Sequence, residues 1–288
     1  MARAAGGRTL HQSNGQEVNA VRKSDFVQSF ERGLRVIKAF DADHPELALS
    51  DVARITGLTR AAARRFLLTL TEIGYVRMDG GVFSLRPRVL ELGSAYVSSL
   101  RLPEVAEAHI KTLVGNVNES VAIAVLDDLD IVHVVTERPR RIMGLTTQVG
   151  SRLPAHWTSM GRVLLADLPP DRLDDTIARI RFSTPTPTPA MVSDEQSLRE
   201  ILERVREQDW AVVDQEVEVG LRAVAVPLRN TEGAAIASMN IAAFSPQTTM
   251  SALIRRFLPL LQEAARAIET DLEHLRDRGI DAVSSVSS

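Results

Sequence analysis

The sequence predicts an α+β protein in two parts: a small helix-turn-helix head carrying a β-hairpin, and a larger body mixing antiparallel strands with flanking helices. Three observations predict it. Residues 49–76, "LSDVARITGLTRAAARRFLLTLTEIGYV", hold two helical patterns around a tight glycine turn and run on into a hairpin signal. From about Leu102 the texture changes to short strand-like runs separated by helical stretches. Charge divides with the texture, 14 Lys and Arg against 10 Asp and Glu in residues 1–100 and 20 against 27 thereafter. That is the balance of a polyanion-binding head on an acidic body.

Composition sets the bounds. A chain of 288 residues, 44% of them hydrophobic, can build two domains with cores of their own. It has no run of about 18 apolar residues and no apolar leader at its N-terminus, so a cytoplasmic protein without a membrane partner is expected. Cysteine is absent, which excludes disulfides, thiolate metal sites, iron–sulfur clusters and cysteine nucleophiles. The formal net charge of −3 argues against nucleic acid only if its uneven distribution is ignored.

Along the chain, residues 1–24 lack apolar periodicity and read as a disordered arm. From Asp25, "SFERGLRVIKAF" places Phe30, Leu34, Ile37 and Phe40 on one helical face. "DADHPEL" breaks that pattern. Ser50 is the expected N-cap of the next helix, with Val52, Ala53 and Ile55 turned inward and Gly57 ending it in the left-handed conformation. Thr59 is the expected N-cap of the helix that follows. "YVRMDGGVFSL" reads as two strands around Asp79-Gly80-Gly81. After Pro87, "RVLELGSAYVSSL" reads as a helix linking head to body. The body's expected strands are "SVAIAVL", "DIVHVVT", "RIMGLTTQ", "WAVVD", "RAVAVPLR" and "AAIASMNIA". Its expected helices are "AHWTSMGRVLLADL" after Pro154, a stretch before the proline-rich loop "FSTPTPTPAM", "DEQSLREILERVREQ" and a long one from Met250 to His274. The resulting divisions are 25–86 for the head, 87–101 for the linker helix, 102–278 for the body and 279–288 for a disordered tail.

The charge of the opening stretch has a definite place. At 100° per residue, Ala63, Phe66, Leu70 and Ile73 fall on one side of the third helix, and Arg60, Ala61, Arg64 and Arg65 on the opposite arc of its first two turns. In a helix-turn-helix this segment enters the major groove of double-stranded DNA, where arginine grips guanine or phosphate. Small Ala61 lets the helix approach base edges, and Arg77 with the glycine pair forms a wing along the backbone. Ser50, Thr59, Arg60, Ala61, Arg64, Arg65 and Arg77 are therefore the candidate DNA-contacting residues.

The body offers a second constellation. The helix expected after Pro154 presents free N–H groups together with the hydroxyls of Thr158 and Ser159, a place for a carboxylate at the positive end of the helix dipole. Ser238 and Asn240 share one face of an otherwise apolar strand and need partners, either nearby backbone or a ligand. Arg222 can grip a carboxylate or pair with Asp214, Glu216 or Glu218. His156 is a ligand contact or a cap and packing residue. There is no G-x-S-x-G elbow, Walker loop, G-x-G-x-x-G or H-E-x-x-H, so neither an enzyme nor a cofactor or metal site is expected.

The blocks "SFERGLRVIKAFD", "LSDVARITGLTRAAARRFLLTLTEIGYV", "RVLELGSAYVSSL", "RLPAHWTSMGRVLLA" and "VDQEVEVGLRAVAVPLRN" resemble, in the same order, those of the IclR family of bacterial transcription regulators. Within that family "TRAAARRFLLTL", "RRIMGL" and "DQEVEVGLRAVAVPL" are most similar to regulators of protocatechuate, 4-hydroxybenzoate and β-ketoadipate catabolism. The resemblance implies a winged helix-turn-helix head, a dimerising linker helix, a GAF-like effector domain, and a homodimer or homotetramer. It also implies an effector pocket at Leu145, Ser159, Met160, Ala223 and Asn240, with Met143 beside it. The chain departs from the family pattern at Trp157, where a small residue is common, at Ala223, and at Asn240 and Ala242 in place of a Ser-x-Ser pair. The expected function is a regulator responding to an aromatic acid or ring-cleavage product. The alternatives are an IclR-type regulator of another small-carboxylate pathway and a ligand-independent DNA-binding protein.

Overall fold

In a computed structural model, residues 25–41, 43–93, 101–139, 147–182, 188–244 and 248–277 are described. The chain divides into two compact units, 1–93 and 94–288. The expected arm (1–24) and tail (279–288), and most of the expected strand "RIMGLTTQ", lie outside the described residues, as do 183–187 of the proline-rich loop. The expected linker helix is described only at its start, a 3-10 turn at Pro87–Leu90 followed by helical residues 91–93.

The first unit contains helix α1 (Gln28–Ile37), strand β1 (Glu46–Ala48), helices α2 (Leu49–Thr56) and α3 (Arg60–Glu72), and strands β2 (Val76–Asp79) and β3 (Val82–Leu85). Its core joins Val36, Phe40, Leu47, Val52, Ala63, Leu67, Leu70, Val76 and Phe83. Only the C-terminal half of α1 lies on this core: Val36 and Phe40 are buried and Ile37 is half-buried, while Phe30 and Leu34, expected inward, are exposed. Ser50 does not cap α2. The chain enters that helix directly from β1, so Ala48, with extended backbone, occupies the N-cap position and Ser50 is already inside the first turn. Ile55 is exposed, and Thr56 takes an inward place, its hydroxyl donating to the Val52 carbonyl at 2.6 Å.

Gly57 ends α2 with φ 66°, a conformation that costs glycine nothing and most residues strain. Thr59 caps α3 as expected, its Oγ1 accepting the Ala62 N–H at 3.2 Å. The inward face of α3 is Ala63, Leu67 and Leu70 with Phe66 half-buried. Ile73, one position past the helix, is exposed. Strands β2 and β3 form the expected hairpin, and β1, not foreseen, completes an antiparallel sheet in the order β1-β3-β2.

The second unit is built on a six-stranded antiparallel sheet in the order β6-β5-β4-β9-β8-β7. In chain order its elements are α4 (Leu102–Val117), β4 (Ser120–Asp127), β5 (Asp130–Glu137), β6 (Arg152–Pro154), α5 (Ser159–Ala166), α6 (Pro170–Arg179), α7 (Glu195–Gln208), β7 (Ala211–Asp214), β8 (Leu221–Arg229), β9 (Ala235–Phe244) and α8 (Leu258–Asp277). Between β9 and α8 come a helical turn at Met250–Ala252 and a π-turn at Leu253–Phe257. Neither β6 nor α4 was foreseen; α4 fills the stretch from Leu102 where strand-like runs were expected to begin.

The two sheet faces differ in side-chain size, and the alternation of the strands explains it. Val121, Ile123, Val224, Val226, Met239 and Ile241 face one way, into a core shared with Ile110, Leu261 and Ile268 of α4 and α8. Ala122, Ala124 and Ala225 face the other way, into a core shared with Met160 and Val163 of α5 and Leu198 and Leu202 of α7. The alanine face is a shallow floor that lets α5 lie close to the sheet. Among the described residues, no helix is long and apolar enough to cross a membrane.

Candidate functional site

On the head, Arg60, Ala61, Arg64 and Arg65 are exposed on the first two turns of α3. Other arginines of this unit are engaged: Arg54 with Asp51 at 3.5 Å, and Arg35 with Glu31 and the Thr56 carbonyl. Among the described residues no carboxylate pairs with Arg60, Arg64 or Arg65, so this arc presents concentrated positive charge. Arg77 differs. Its Nε donates to Ser84 Oγ at 2.8 Å and its Nη2 lies 3.5 Å from Glu46, which makes it a strut across the three strands as well as an exposed cation. Ser50 is exposed on α2.

On the body, the site is built around the start of α5. Residues Ala155–Trp157 form a 3-10 turn, and α5 begins only at Ser159, not at the residue after Pro154. Pro154 belongs instead to β6, paired with Asp130. Thr158 has extended backbone and caps α5, its Oγ1 accepting the Gly161 N–H at 2.9 Å. The helix geometry leaves the amides of Ser159 and Met160 without intrahelical acceptors. Ser159 and Met160 are buried.

Asn240 lies on the alanine face of the sheet, the face on which α5 packs. It pairs in register with Ala122 on β4 and Ala225 on β8, residues that share a core with Met160. Among the described residues, three buried polar atoms have no hydrogen-bond partner: His156 Nδ1, Ser159 Oγ and Asn240 Oδ1. All three belong to residues expected at the effector site, and buried polar atoms in folded proteins rarely stay unpaired.

The His156 ring is held edge-on against Trp157 and Phe182, with centroids 5.9 and 5.7 Å away. Burial, reinforced by the nearby Arg162 charge, pulls its pKa down from 6.5 to about 4, so the imidazole is neutral at physiological pH. A neutral imidazole offers one donor and one acceptor.

Other expected contacts are engaged within the fold. Ser238 is fully buried, but its hydroxyl donates to the Val226 carbonyl at 2.9 Å, so backbone satisfies it. Ala223 is buried and pairs with Ala242 across β9. Arg222 precedes it on the same strand and so points to the opposite face. There its Nε donates to Asp214 at 2.7 Å and its Nη1 to the Thr248 carbonyl at 2.7 Å, a structural pairing away from α5. Met143 and Leu145 lie outside the described residues.

Sequence reasoning missed three residues that shape this region. Gly161 lets α5 ride on the 3-10 turn, since a Cβ there would stand 2.1 Å from the Ala155 carbonyl oxygen. Arg162, 1% exposed, donates from Nε to the His156 carbonyl at 3.1 Å and from both Nη atoms to Glu216 at 2.8 and 2.5 Å. Glu216 sits in the β7–β8 connection. The available signal was an arginine inside the apolar run "SMGRVLLA", which has to find a partner if that helix is buried.

Comparison with known proteins shows which family the chain resembles over most of its length. Residues 29–80 match the family profile described as the IclR helix-turn-helix domain, and residues 94–270 the one described as bacterial transcriptional regulator IclR C-terminal. The chain is 38% identical to the Pca regulon regulatory protein of Pseudomonas putida, over 84% of this chain and 83% of that protein. It is 34% identical to the p-hydroxybenzoate hydroxylase transcriptional activator of Acinetobacter baylyi, over 86% and 93%. Among solved structures, an IclR homologue from Microbacterium hydrocarbonoxydans complexed with 4-hydroxybenzoate superposes with a TM-score of 0.74 at 27% identity, over 85% of this chain and 99% of that one. A protein of Rhodococcus sp. RHA1 superposes with a TM-score of 0.77 at 44% identity, over 87% and 100%.

Proposed function

The chain belongs to the IclR family of bacterial transcriptional regulators, and from that premise we propose that it controls an aromatic-acid catabolic operon through an effector bound at the start of α5. Members of this family are DNA-binding regulators rather than enzymes. In this reading Arg60, Arg64 and Arg65, with Thr59 and Ala61 beside them and Ser50 and Arg77 at the flanks, contact a two-fold operator as part of a homodimer or homotetramer. Effector and operator are coupled through the differential affinity of the acid for two arrangements of the heads.

The observation that carries the effector assignment is the set of orphaned polar atoms on His156, Ser159 and Asn240. The Ser159 hydroxyl and the free first-turn amides suit a carboxylate. The flat alanine floor under them suits a planar ring. Asn240 Oδ1 can only accept a hydrogen bond, so it favours an acid carrying a hydroxyl. Protocatechuate and 4-hydroxybenzoate supply one, whereas the β-ketoadipate dianion does not. A relative named as the p-hydroxybenzoate hydroxylase transcriptional activator and a solved IclR homologue complexed with 4-hydroxybenzoate support this reading.

The test is a gel shift on the promoter region next to the gene at fixed salt, since phosphate contacts make affinity salt-dependent, with and without each acid. Binding that one hydroxybenzoate changes is the expected result. Specific binding indifferent to all of these acids discards the aromatic assignment and leaves a regulator answering to another small carboxylate or to none. Arg64→Ala is expected to weaken operator binding by about 1–3 kcal/mol with effector affinity intact, and an unchanged shift removes α3 from the groove.

A further inference from the structure

Arg162, buried, and Glu216, largely buried, form an ion pair inside the domain proposed to admit an anionic effector. Burying an arginine and a carboxylate costs about what their attraction returns, and apolar residues of similar shape often serve a fold equally well. The pair therefore calls for a reason beyond stability, and its surroundings supply one. Successive residues of α5 grip the 155–157 turn in two ways. Gly161 fits the turn sterically against the Ala155 backbone, and Arg162 Nε hydrogen-bonds the His156 carbonyl. Both Nη groups of the same guanidinium then hold Glu216, whose own carbonyl accepts the Thr188 hydroxyl at 2.8 Å. One arginine thus ties together the turn carrying His156, the first two turns of α5, and the β7–β8 connection. The unpartnered atoms of His156 and Ser159 lie on the elements so joined.

We propose that Arg162 and Glu216 are positioning residues of the effector site: they touch no ligand, but they fix the 155–159 segment in the geometry that binds the acid. This rests on the effector assignment above. Arginine's planar fork suits the role because two parallel bonds to one carboxylate set direction as well as distance.

The experiment replaces the pair with apolar residues, R162M with E216L, in full-length protein carrying W210F, so that Trp157, beside His156, is the sole tryptophan. Expected are a melting temperature close to that of the W210F parent, unchanged promoter affinity, greater acrylamide quenching of Trp157, and 4-hydroxybenzoate affinity weakened about tenfold. Quenching and acid affinity both equal to the parent's overturn the proposal. So does a parallel fall in melting temperature, promoter affinity and acid affinity, which marks the pair as merely structural. If the double variant does not fold, R162K keeps both charges but loses the planar fork, and the same readouts apply with a smaller expected change. If the parent takes up no 4-hydroxybenzoate, the effector assignment fails for that acid, while Trp157 quenching still decides whether the pair holds the segment.

Discussion

Replacing Gly161 by alanine sets helix propensity against close packing, and the structure decides which wins. Judged as a helix position, Gly161→Ala should stabilise α5 by about 1 kcal/mol. The added Cβ, however, would stand 2.1 Å from the Ala155 oxygen, 2.4 Å from its Cα and 2.5 Å from its carbonyl carbon. All three are backbone atoms, so no rotamer change relieves the clash. Reaching even 3.0 Å from that oxygen requires a shift of at least 0.9 Å between α5 and the turn that carries His156. Overpacking of this kind costs about 1–3 kcal/mol or more, which exceeds the propensity gain. The net expectation is a loss of up to about 2 kcal/mol, or a melting temperature lower by up to about 8 °C for a domain of this size. The same displacement separates His156 from Ser159, so 4-hydroxybenzoate affinity measured by titration calorimetry should fall about tenfold or more. A variant that melts higher than wild type and binds the acid equally well would refute both the close-contact argument and the location of the site.

Thr59→Ala removes the side-chain acceptor of the Ala62 amide and should cost the head about 1 kcal/mol, seen as faster hydrogen exchange at Ala62 and weaker operator binding. For His156, the folded pKa of about 4 lies below the ordinary 6.5, so between those values the unfolded chain takes up a proton that the folded one refuses. Its contribution is therefore intact above pH 6.5 and shrinks as pH falls, by about 2 kcal/mol at pH 5. Urea unfolding at pH 7 and pH 5 should show that loss in wild type and a smaller one in His156→Asn, where the buried His133, also shifted down by burial, still titrates. Arg222→Met breaks the pairing with Asp214 and should lower stability by about 1 kcal/mol or less with acid affinity unchanged. A large loss of acid affinity would return Arg222 to the site.

The features legible without coordinates are those that neighbouring residues decide between themselves. Thr59 caps α3 because its hydroxyl reaches an amide three residues on, and the Asp79-Gly80-Gly81 turn forms because glycine accepts positive φ. Most of the body's strands appear as short, nearly continuous apolar runs, because both faces of their sheet are buried. The arginine arc on α3 follows from helical periodicity alone, and colinear blocks over nearly the whole chain carried the family. Strand alternation also held information left unused, since it places Arg222 and Ala223 on opposite faces whatever the rest of the fold does.

Other features depend on what lies across the fold, and no local pattern contains them. Phe30, Leu34, Ile55 and Ile73 sit on apolar faces that the head's small core does not reach. Three-residue strands such as β1 and β6 exist only because β3 and β5 offer them an edge. Ser50 loses its expected cap to Ala48 because the chain enters α2 straight from β1, and α5 starts at Ser159 because Pro154 is taken up by β6. The proposed effector site is of this kind too. Its polar atoms come from a turn, a helix start and a strand far apart in the chain, and Arg162 is buried only because Glu216, 54 residues away, meets it. Local sequence thus determined most of the elements and the charged face of α3, while tertiary packing decided the short edge strands, the exact helix starts and which polar atoms were left buried without partners, because edge pairing, burial and hydrogen bonding belong to the whole arrangement and not to any segment of it.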